Sequence, residues 1–433
     1  MISSVKSYLK FFVKIYILAR LRSVLLTLFG ARVNKERWED RLLIVHLEGL
    51  GDTVALTSVL KHYKEDFPDK ELYLLFNASS AIDAPDAFGS NVRRILRVDY
   101  RRFVTDPLYG LRFINELRQI GFKTVVTHDP SLAEVSGKFI VLDLGAEETI
   151  GYEGAFFQLV TPYDENMKMS VAYARKHLLP RFTKIIPAAD QGFDFNRRKP
   201  LNYICHYIKS YETAWGKKHS DYSPTLRVPQ AADESALALL REHNISRGTY
   251  CLLSLSTSTP HREWPAERFA EALSSMKSLG IPLVIVGGAR DVELLPRFRE
   301  VYGDEFVNLA GKTSIVEYLA LVHHALFSLS NETAQAHIAI ALKKPMLSVL
   351  GGGHLGLLSL YGYPHIHRFV YTKNVPCLSD NWRCNHTVGP NDPAPCIAAV
   401  SVEGVVKELE SLLEYIRHAK NYPRESFHIE FAS

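Results

Sequence analysis

Three segments of the sequence place glycine, hydroxyl and charged side chains directly after short apolar runs. The first is Glu48-Gly49-Leu50-Gly51-Asp52. Glycine at such a turn lets the backbone reverse sharply and lets a ligand approach main-chain amides. Two glycines alone fall short of a dinucleotide-binding fingerprint. Asp52 has two open roles: N-cap of a helix opening at Thr53, or a carboxylate able to take a proton. Its local context by itself favours the cap. The second segment runs from Ser256 through Thr257, Ser258, Thr259 and Arg262 to Trp264 and Pro265. Hydroxyls and an arginine there can donate to phosphate oxygens; the alternative is a polar loop with Trp264 buried as an anchor. The third, Ser330-Asn331-Glu332-Thr333-Ala334-Gln335-Ala336-His337, opens a helix whose free N–H groups and positive dipole end suit a diphosphate. His337 lies a full turn in, so a ligand contact and a satisfied structural histidine both stay open.

Such segments act together only if a sheet presents them on one edge. Apolar runs at residues 42–47, 71–76, 123–129 and 138–144 read as buried strands, with a helix over residues 53–67. A second series at 250–256, 282–288, 305–311, 325–331 and 345–353 alternates with helices at 266–279 and 315–324, and a last helix covers about 402–419. Strands alternating with helices imply parallel βαβ units and a doubly wound sheet. The expected organisation is a basic segment 1–36, a Rossmann-like domain 37–228 closed by helices from the irregular stretch 160–228, and a second Rossmann-like domain 229–433. Two such domains imply a ligand cleft at the carboxyl ends of both sets of strands.

A chain of 433 residues with 47% hydrophobic and 23% charged residues has room for two or three buried cores and the balance of a globular protein. Its charge is uneven. Lys6, Lys10, Lys14, Arg20, Arg22, Arg32 and Lys35 make residues 1–35 +7 with no acid, so the net +4 leaves −3 for the remainder. That asymmetry argues against a nucleic-acid binder. The apolar run 11–29 is interrupted by Lys14, Arg20 and Arg22 and has no small-residue cleavage site, so it suits neither a membrane span nor a signal peptide. An amphipathic helix lying on an anionic leaflet is one reading and a helix packed on the protein body is the other. Five cysteines suggest a reducing compartment rather than a disulfide framework.

Taken together, the motifs resemble glycosyltransferase family 9, the ADP-heptose transferases of bacterial surface polysaccharide, over roughly residues 40–415. The family's Leu-Gly-Asp is Leu50-Gly51-Asp52, and its Lys-x-Trp-Pro is Arg262-Glu263-Trp264-Pro265, with arginine for lysine. Asn-Leu-Ala-Gly-Lys-Thr is matched at residues 308–313, and Ser-Asn-Asp-Thr-Gly-x-x-His becomes Ser330–His337 with Glu332 for Asp and Ala334 for Gly. The resemblance implies a GT-B fold and an inverting transfer in which Asp52 is the catalytic base. It also implies a donor site of Gly51, Ser256, Arg262, Asp291, Glu332, Thr333, Ala334 and His337, with Asp291 meeting the ribose. No Asp-x-Asp motif is present, so no catalytic metal and no cofactor beyond the nucleotide-sugar donor are expected. The implied partners are ADP-heptose, a lipid-linked glycan acceptor such as lipopolysaccharide, and the cytoplasmic face of a bacterial inner membrane through residues 1–30. Two alternatives are transfer to a protein hydroxyl and a non-catalytic nucleotide-sugar binder. Cys377, Cys384 and Cys396 with His386 or Asp380 could hold a metal, or could be ordinary buried and loop thiols.

Overall fold

The computed structural model describes residues 2–89, 92–128, 135–152, 173–187, 193–194, 199–200, 202–373, 375, 378, 389, 391–418 and 426–429. The chain divides into two compact units, Met1–Tyr222 and Ser223–Ser433.

In the first unit, β1 (Arg41–His46) is buried from Leu42 onward, as a central parallel strand covered on both faces must be. It pairs with β2 (Glu71–Asn77) on one side and β4 (Thr124–Thr127) on the other, so that Ile44 faces both Leu74 and Val126. The sheet is completed by β3 (Val92–Val98), β5 (Glu148–Tyr152) and β6 (Lys184–Ile186), in the order β3-β2-β1-β4-β5-β6. Every pairing is parallel. Helices α1 (Ile2–Phe29), α2 (Leu50–Asp66), α3 (Tyr100–Thr105), α4 (Pro107–Ile120), α5 (Val135–Asp143) and α6 (Tyr203–Trp215) belong to this unit.

One expectation needs correction here. Residues 138–144 were read as a strand but form most of α5, and the strand comes later, at Glu148–Tyr152. An apolar run buried on most sides has no periodicity to separate strand from helix, and Phe139, Ile140, Val141 and Leu144 are all buried. The first helix also packs on the body. Ala19 and Leu26 join its core, and Arg22 is buried against Asp143 at 3.2 Å with its guanidinium 4.1 Å above the Phe103 ring.

The second unit repeats the plan. Strands β7 (Cys251–Ser254), β8 (Leu283–Ile285), β9 (Val307–Asn308), β10 (Phe327–Asn331), β11 (Met346–Val349) and β12 (His367–Val370) run parallel in the order β9-β8-β7-β10-β11-β12. Its helices include α7 (Gln230–Glu242), α8 (Ala266–Ser274), α9 (Ala289–Tyr302), α10 (Ile315–His324), α11 (Ala334–Ala341) and α12 (Val402–His418). Ser314 and Glu317 form a capping box that starts α10. In each unit the strand order reverses beside the first strand. Ligands of open α/β sheets bind at that reversal, outside the carboxyl ends of the strands.

Candidate active site

At the reversal of the first unit, the chain leaves β1 through Leu47 and Glu48, whose carbonyl accepts a hydrogen bond from Ser80 Oγ at 2.9 Å. Gly49 is the N-cap of α2, with no side-chain cap. The helix therefore opens at Leu50, and Asp52 stands at its third position rather than at the cap that local sequence favoured. The Asp52 carboxylate lies close to Gly49, where an added Cβ would come within 3.1 Å of Oδ2. A side chain at position 49 would press on that carboxylate and shift it by a few tenths of an ångström. A negative charge in the first helical turn is favoured by the helix dipole, and Asp52 and Gly51 are both half-buried.

Beside this turn the sheet edge carries histidines that sequence reasoning did not single out. His46 ends β1, fully buried between the rings of Phe76 and Tyr207. Burial pushes its pKa down to about 3, so it is neutral. Neither ring nitrogen has a hydrogen-bond partner among the described residues. His128, just past β4, is likewise held near 3 by burial and by the neighbouring His206 and His46. Its Nε2 meets Tyr63 Oη at 2.6 Å and its Nδ1 meets Tyr152 Oη at 3.0 Å. Trp215 Nε1 donates to Tyr63 Oη at 3.2 Å. The available signal was a histidine inside an otherwise apolar strand.

In the second unit, the loop after β7 is fastened by two carboxylates. Asp291 Oδ1 accepts from the amides of Leu255 and Ser256 at 2.8 and 3.0 Å, and Oδ2 accepts from Ser256 Oγ and the Gly288 amide at 2.6 and 2.9 Å. Gly287 adopts φ +132° with its α-carbon so near Asp291 that a Cβ would overlap Oδ2. Asp291 and Ser256 were expected to touch the donor. Their polar atoms instead hold each other and the loop, which leaves the Asp291 carboxylate little capacity for a ribose. Glu263 does similar work, accepting from the Thr257 amide at 3.2 Å and pairing with Arg290 at 3.0 Å.

The loop after β10 meets this one through Asn331. Its Oδ1 accepts from the Trp264 amide at 2.8 Å and its Nδ2 donates to the Leu255 carbonyl at 2.7 Å. Trp264 is fully buried and donates from Nε1 to Val400 at 3.1 Å, so its anchoring role holds. Thr333 caps α11 by accepting from the Gln335 amide. Ala334 is the first helical residue and is absent from the positive-φ positions, so alanine costs nothing there. Arg262 reaches across to Glu332, Nη2 to Oε2 at 3.2 Å, with both side chains largely buried. Burial raises the Glu332 pKa, partly offset by Arg262 and Ser359. His354, from the Gly351-Gly352-Gly353 run, lies 3.8 Å from the same Oε2. The two charged positions that depart from the family motif, arginine for lysine and glutamate for aspartate, are therefore partners. His337 is buried, pushed down to about 4 by burial and the nearby Arg262 charge, and hydrogen-bonded to Tyr361 Oη.

The arrangement in this unit pairs a guanidinium with a helix amino end on a tightly braced loop, which can bind an anionic diphosphate. Of the cysteine group, Cys396 is a free thiol buried in the core beside Ala394 and Ile397. Cys377, Asp380, Cys384 and His386 lie outside the described residues.

Comparison with known proteins places these observations in a family. The model described as "Glycosyltransferase family 9 (heptosyltransferase)" matches residues 139–387. Lipopolysaccharide heptosyltransferase 1 of Escherichia coli K12 is 25% identical over 190 residues, covering 42% of this chain and 59% of that protein. Lipooligosaccharide heptosyltransferase 2 of Haemophilus influenzae is 27% identical over 96 residues, covering 21% of this chain and 28% of that one. The chain thus spans between about a quarter and three fifths of these relatives' length. Among solved structures, a family 9 glycosyl transferase from Veillonella parvula aligns with TM-score 0.65 at 18% identity, covering 87% of this chain and 97% of that one. The ADP-heptose lipopolysaccharide heptosyltransferase II of E. coli aligns with TM-score 0.60 at 16% identity, covering 86% and 98%. The fold is that of these two-domain transferases, and with more than half its length matched by the family model the chain belongs to glycosyltransferase family 9.

Proposed function

We propose that the protein is an inverting glycosyltransferase that moves a heptose, or a related sugar, from ADP-heptose to a lipopolysaccharide or other surface-glycan acceptor. One observation carries the donor half of this reading. Arg262 and the amino end of α11 sit together at the strand-order reversal of the second unit, on loops braced by Asp291, Glu263 and Asn331. A diphosphate placed there meets a cation and helix amides whose positions are already fixed, so little reorganisation is needed as charge develops. In the reaction, the acceptor hydroxyl oxygen forms a bond to the anomeric carbon while the bond from that carbon to the ADP oxygen breaks. Asp52 takes the hydroxyl proton, and ADP leaves with its negative charge met by Arg262 and the helix amides. Glu332 holds Arg262 in register. No step is assigned to a metal ion.

An acceptor embedded in a leaflet suits the first helix. Ile17, Leu21, Val24 and Leu28 are exposed large apolar side chains at helical spacing, opposite the buried Ala19, Arg22 and Leu26. No described helix is long and apolar enough to cross a membrane. We read α1 as resting on the cytoplasmic face of the inner membrane through this stripe.

Asp52→Ala tests the assignment. Transfer from ADP-heptose to a heptose-deficient lipopolysaccharide is expected to disappear while ADP binding by calorimetry stays within about twofold. Full activity, or loss of ADP binding, would remove Asp52 from the role of base.

A further inference from the structure

At the far end of α2 from Asp52, about 15 Å along the axis at 1.5 Å per residue, a second group of side chains converges. His62 and Glu65 share one face of the helix at i, i+3 spacing, and His219 arrives from the segment that follows α6. Glu65 Oε2 lies 2.9 Å from His62 Nδ1 and 3.3 Å from His219 Nδ1. All three donor atoms fall within 4.8 Å of one another.

The remaining ring nitrogens decide what this convergence means. His62 Nε2 is 2.8 Å from the Asp221 main-chain carbonyl, which can only accept, so that nitrogen carries a proton. His219 Nε2 is 2.9 Å from Asp66 Oδ2, a carboxylate that also accepts from Lys217 and Tyr211. Burial alone would raise the Asp66 carboxyl, but those hydrogen bonds outweigh it and hold the group below its usual range, so it too accepts. With both Nε2 atoms turned to outer acceptors, each Nδ1 faces the Glu65 carboxylate. The two Nδ1 atoms and the Glu65 carboxylate thus form one convergent set of donor atoms. A single divalent ion satisfies all three at once. Each histidine already has the outer acceptor that orients metal-bound imidazoles.

We propose that His62, Glu65 and His219 bind a divalent transition-metal ion of the zinc class, which clasps the segment 217–222 to the carboxyl end of α2. Two imidazoles and one carboxylate are a common zinc donor set. Glu65 is 59% exposed, which leaves room for water as a further ligand. The carbonyl end of α2 favours a cation. The neighbouring lysines are engaged elsewhere, Lys217 Nζ with Asp66 at 3.2 Å and Lys61 Nζ with Asp221 at 2.8 Å. The rings stack within 13° of parallel, so ligation would tilt them to bring the lone pairs together. The site lies within the first unit, about 15 Å along α2 from Asp52, stands independently of the transfer reading, and serves structure rather than chemistry.

Metal-free full-length protein titrated with Co2+ tests this. One equivalent should bind with visible ligand-field absorption and no thiolate-to-cobalt charge-transfer band, which separates it from any cysteine site. Glu65→Ala, at an exposed position, and His219→Ala should each abolish that absorption, and Asp66→Asn should weaken binding about 10- to 100-fold. Zn2+ should raise the melting temperature of the parent protein and of neither alanine variant. Cobalt absorption of purely thiolate character, no stoichiometric binding, or unchanged binding in both alanine variants would overturn the proposal.

Discussion

The two units share a strand order and place their motifs at the same topological point, yet they line that point with opposite materials. The first unit's motif region is aromatic, with His46, His128, Tyr63, Tyr152 and Tyr207 buried and Asp52 half-buried in the first turn of α2. The second unit's edge is ionic, with Asp291, Glu263, Arg262 and Glu332 cross-linking two loops. On the proposed function, the same backbone plan gives one edge the reactive carboxylate and the other a rigid frame for an anion. Carboxylates at the third position of a helix illustrate the difference. Asp291 accepts from backbone and hydroxyl donors that close a loop, whereas Asp52 lies half-buried beside Gly49 in the first turn of α2.

Substitution should separate those two aspartates most clearly. Asp52→Asn is expected to cut transfer about 10²- to 10⁴-fold, the usual worth of a general base, with the melting temperature nearly unchanged. Asp291→Ala strands the amides of Leu255, Ser256 and Gly288 and should cost about 3 kcal/mol or more of stability, measured by denaturant unfolding, with ADP binding lost as the loop loosens. If the two variants behave alike, the contrast between a reactive and a bracing carboxylate fails.

The Arg262–Glu332 pair permits a finer test. Arg262→Lys and Glu332→Asp should each weaken ADP binding, while the double variant, restoring the charge lengths of the family motif, should recover part of the loss. A double-mutant cycle is expected to give a coupling of about 1–3 kcal/mol. A coupling near zero would mean that the two substitutions are unrelated.

Acid should probe both edges through their buried histidines. His46, His128 and His367 are lowered to about 3 and His337 to about 4, against 6.5 for an unburied ring. Between those values the unfolded chain binds more protons than the folded one, so stability rises with pH. It should be intact above 6.5 and fall as the pH drops from there toward 3–4. The rings differ in what they are bonded to. His367 receives the Tyr363 amide and contacts the Lys344 carbonyl, whereas His46 has no such partners among the described residues. His46→Phe should therefore raise stability by about 1 kcal/mol and reduce the acid slope, and His367→Phe should lower stability. A loss of stability on His46→Phe would show a role for its nitrogens.

The central strands were legible because they are continuous apolar runs, as at residues 42–47, 71–76 and 250–256. Apart from the internal Glu148–Tyr152, three of the strands missed lie at sheet edges. Val92–Val98 carries Arg93, Arg94 and Arg97, Lys184–Ile186 is only three residues long, and His367–Val370 closes the second sheet. Edge strands are kept short and charged to discourage pairing with other chains, and that same protection hides them from a search for hydrophobicity. At the site, glycine and hydroxyl motifs marked the right loops. Which side chains would brace and which would face a ligand was not legible, because the deciding contacts join residues as far apart as Arg262 and Glu332 or Ser256 and Asp291.

The burial of Arg22 against Asp143 changes what the first helix can be. A leader that merely tethers the protein could be removed without consequence, but here removal leaves Asp143 buried without its cation and opens the core where Leu26 and Ala19 sat. Deleting residues 1–30 would consequently test folding before it tested location, and polar substitution of Ile17, Leu21, Val24 and Leu28 is the cleaner intervention. The helix is also a channel for mass action. A lipid surface that grips it only in its folded, docked form adds its binding free energy to the folding of the first unit. Anionic vesicles should then make that unit melt at a higher temperature, so that the enzyme would be most durable beside the membrane-borne acceptor proposed for it.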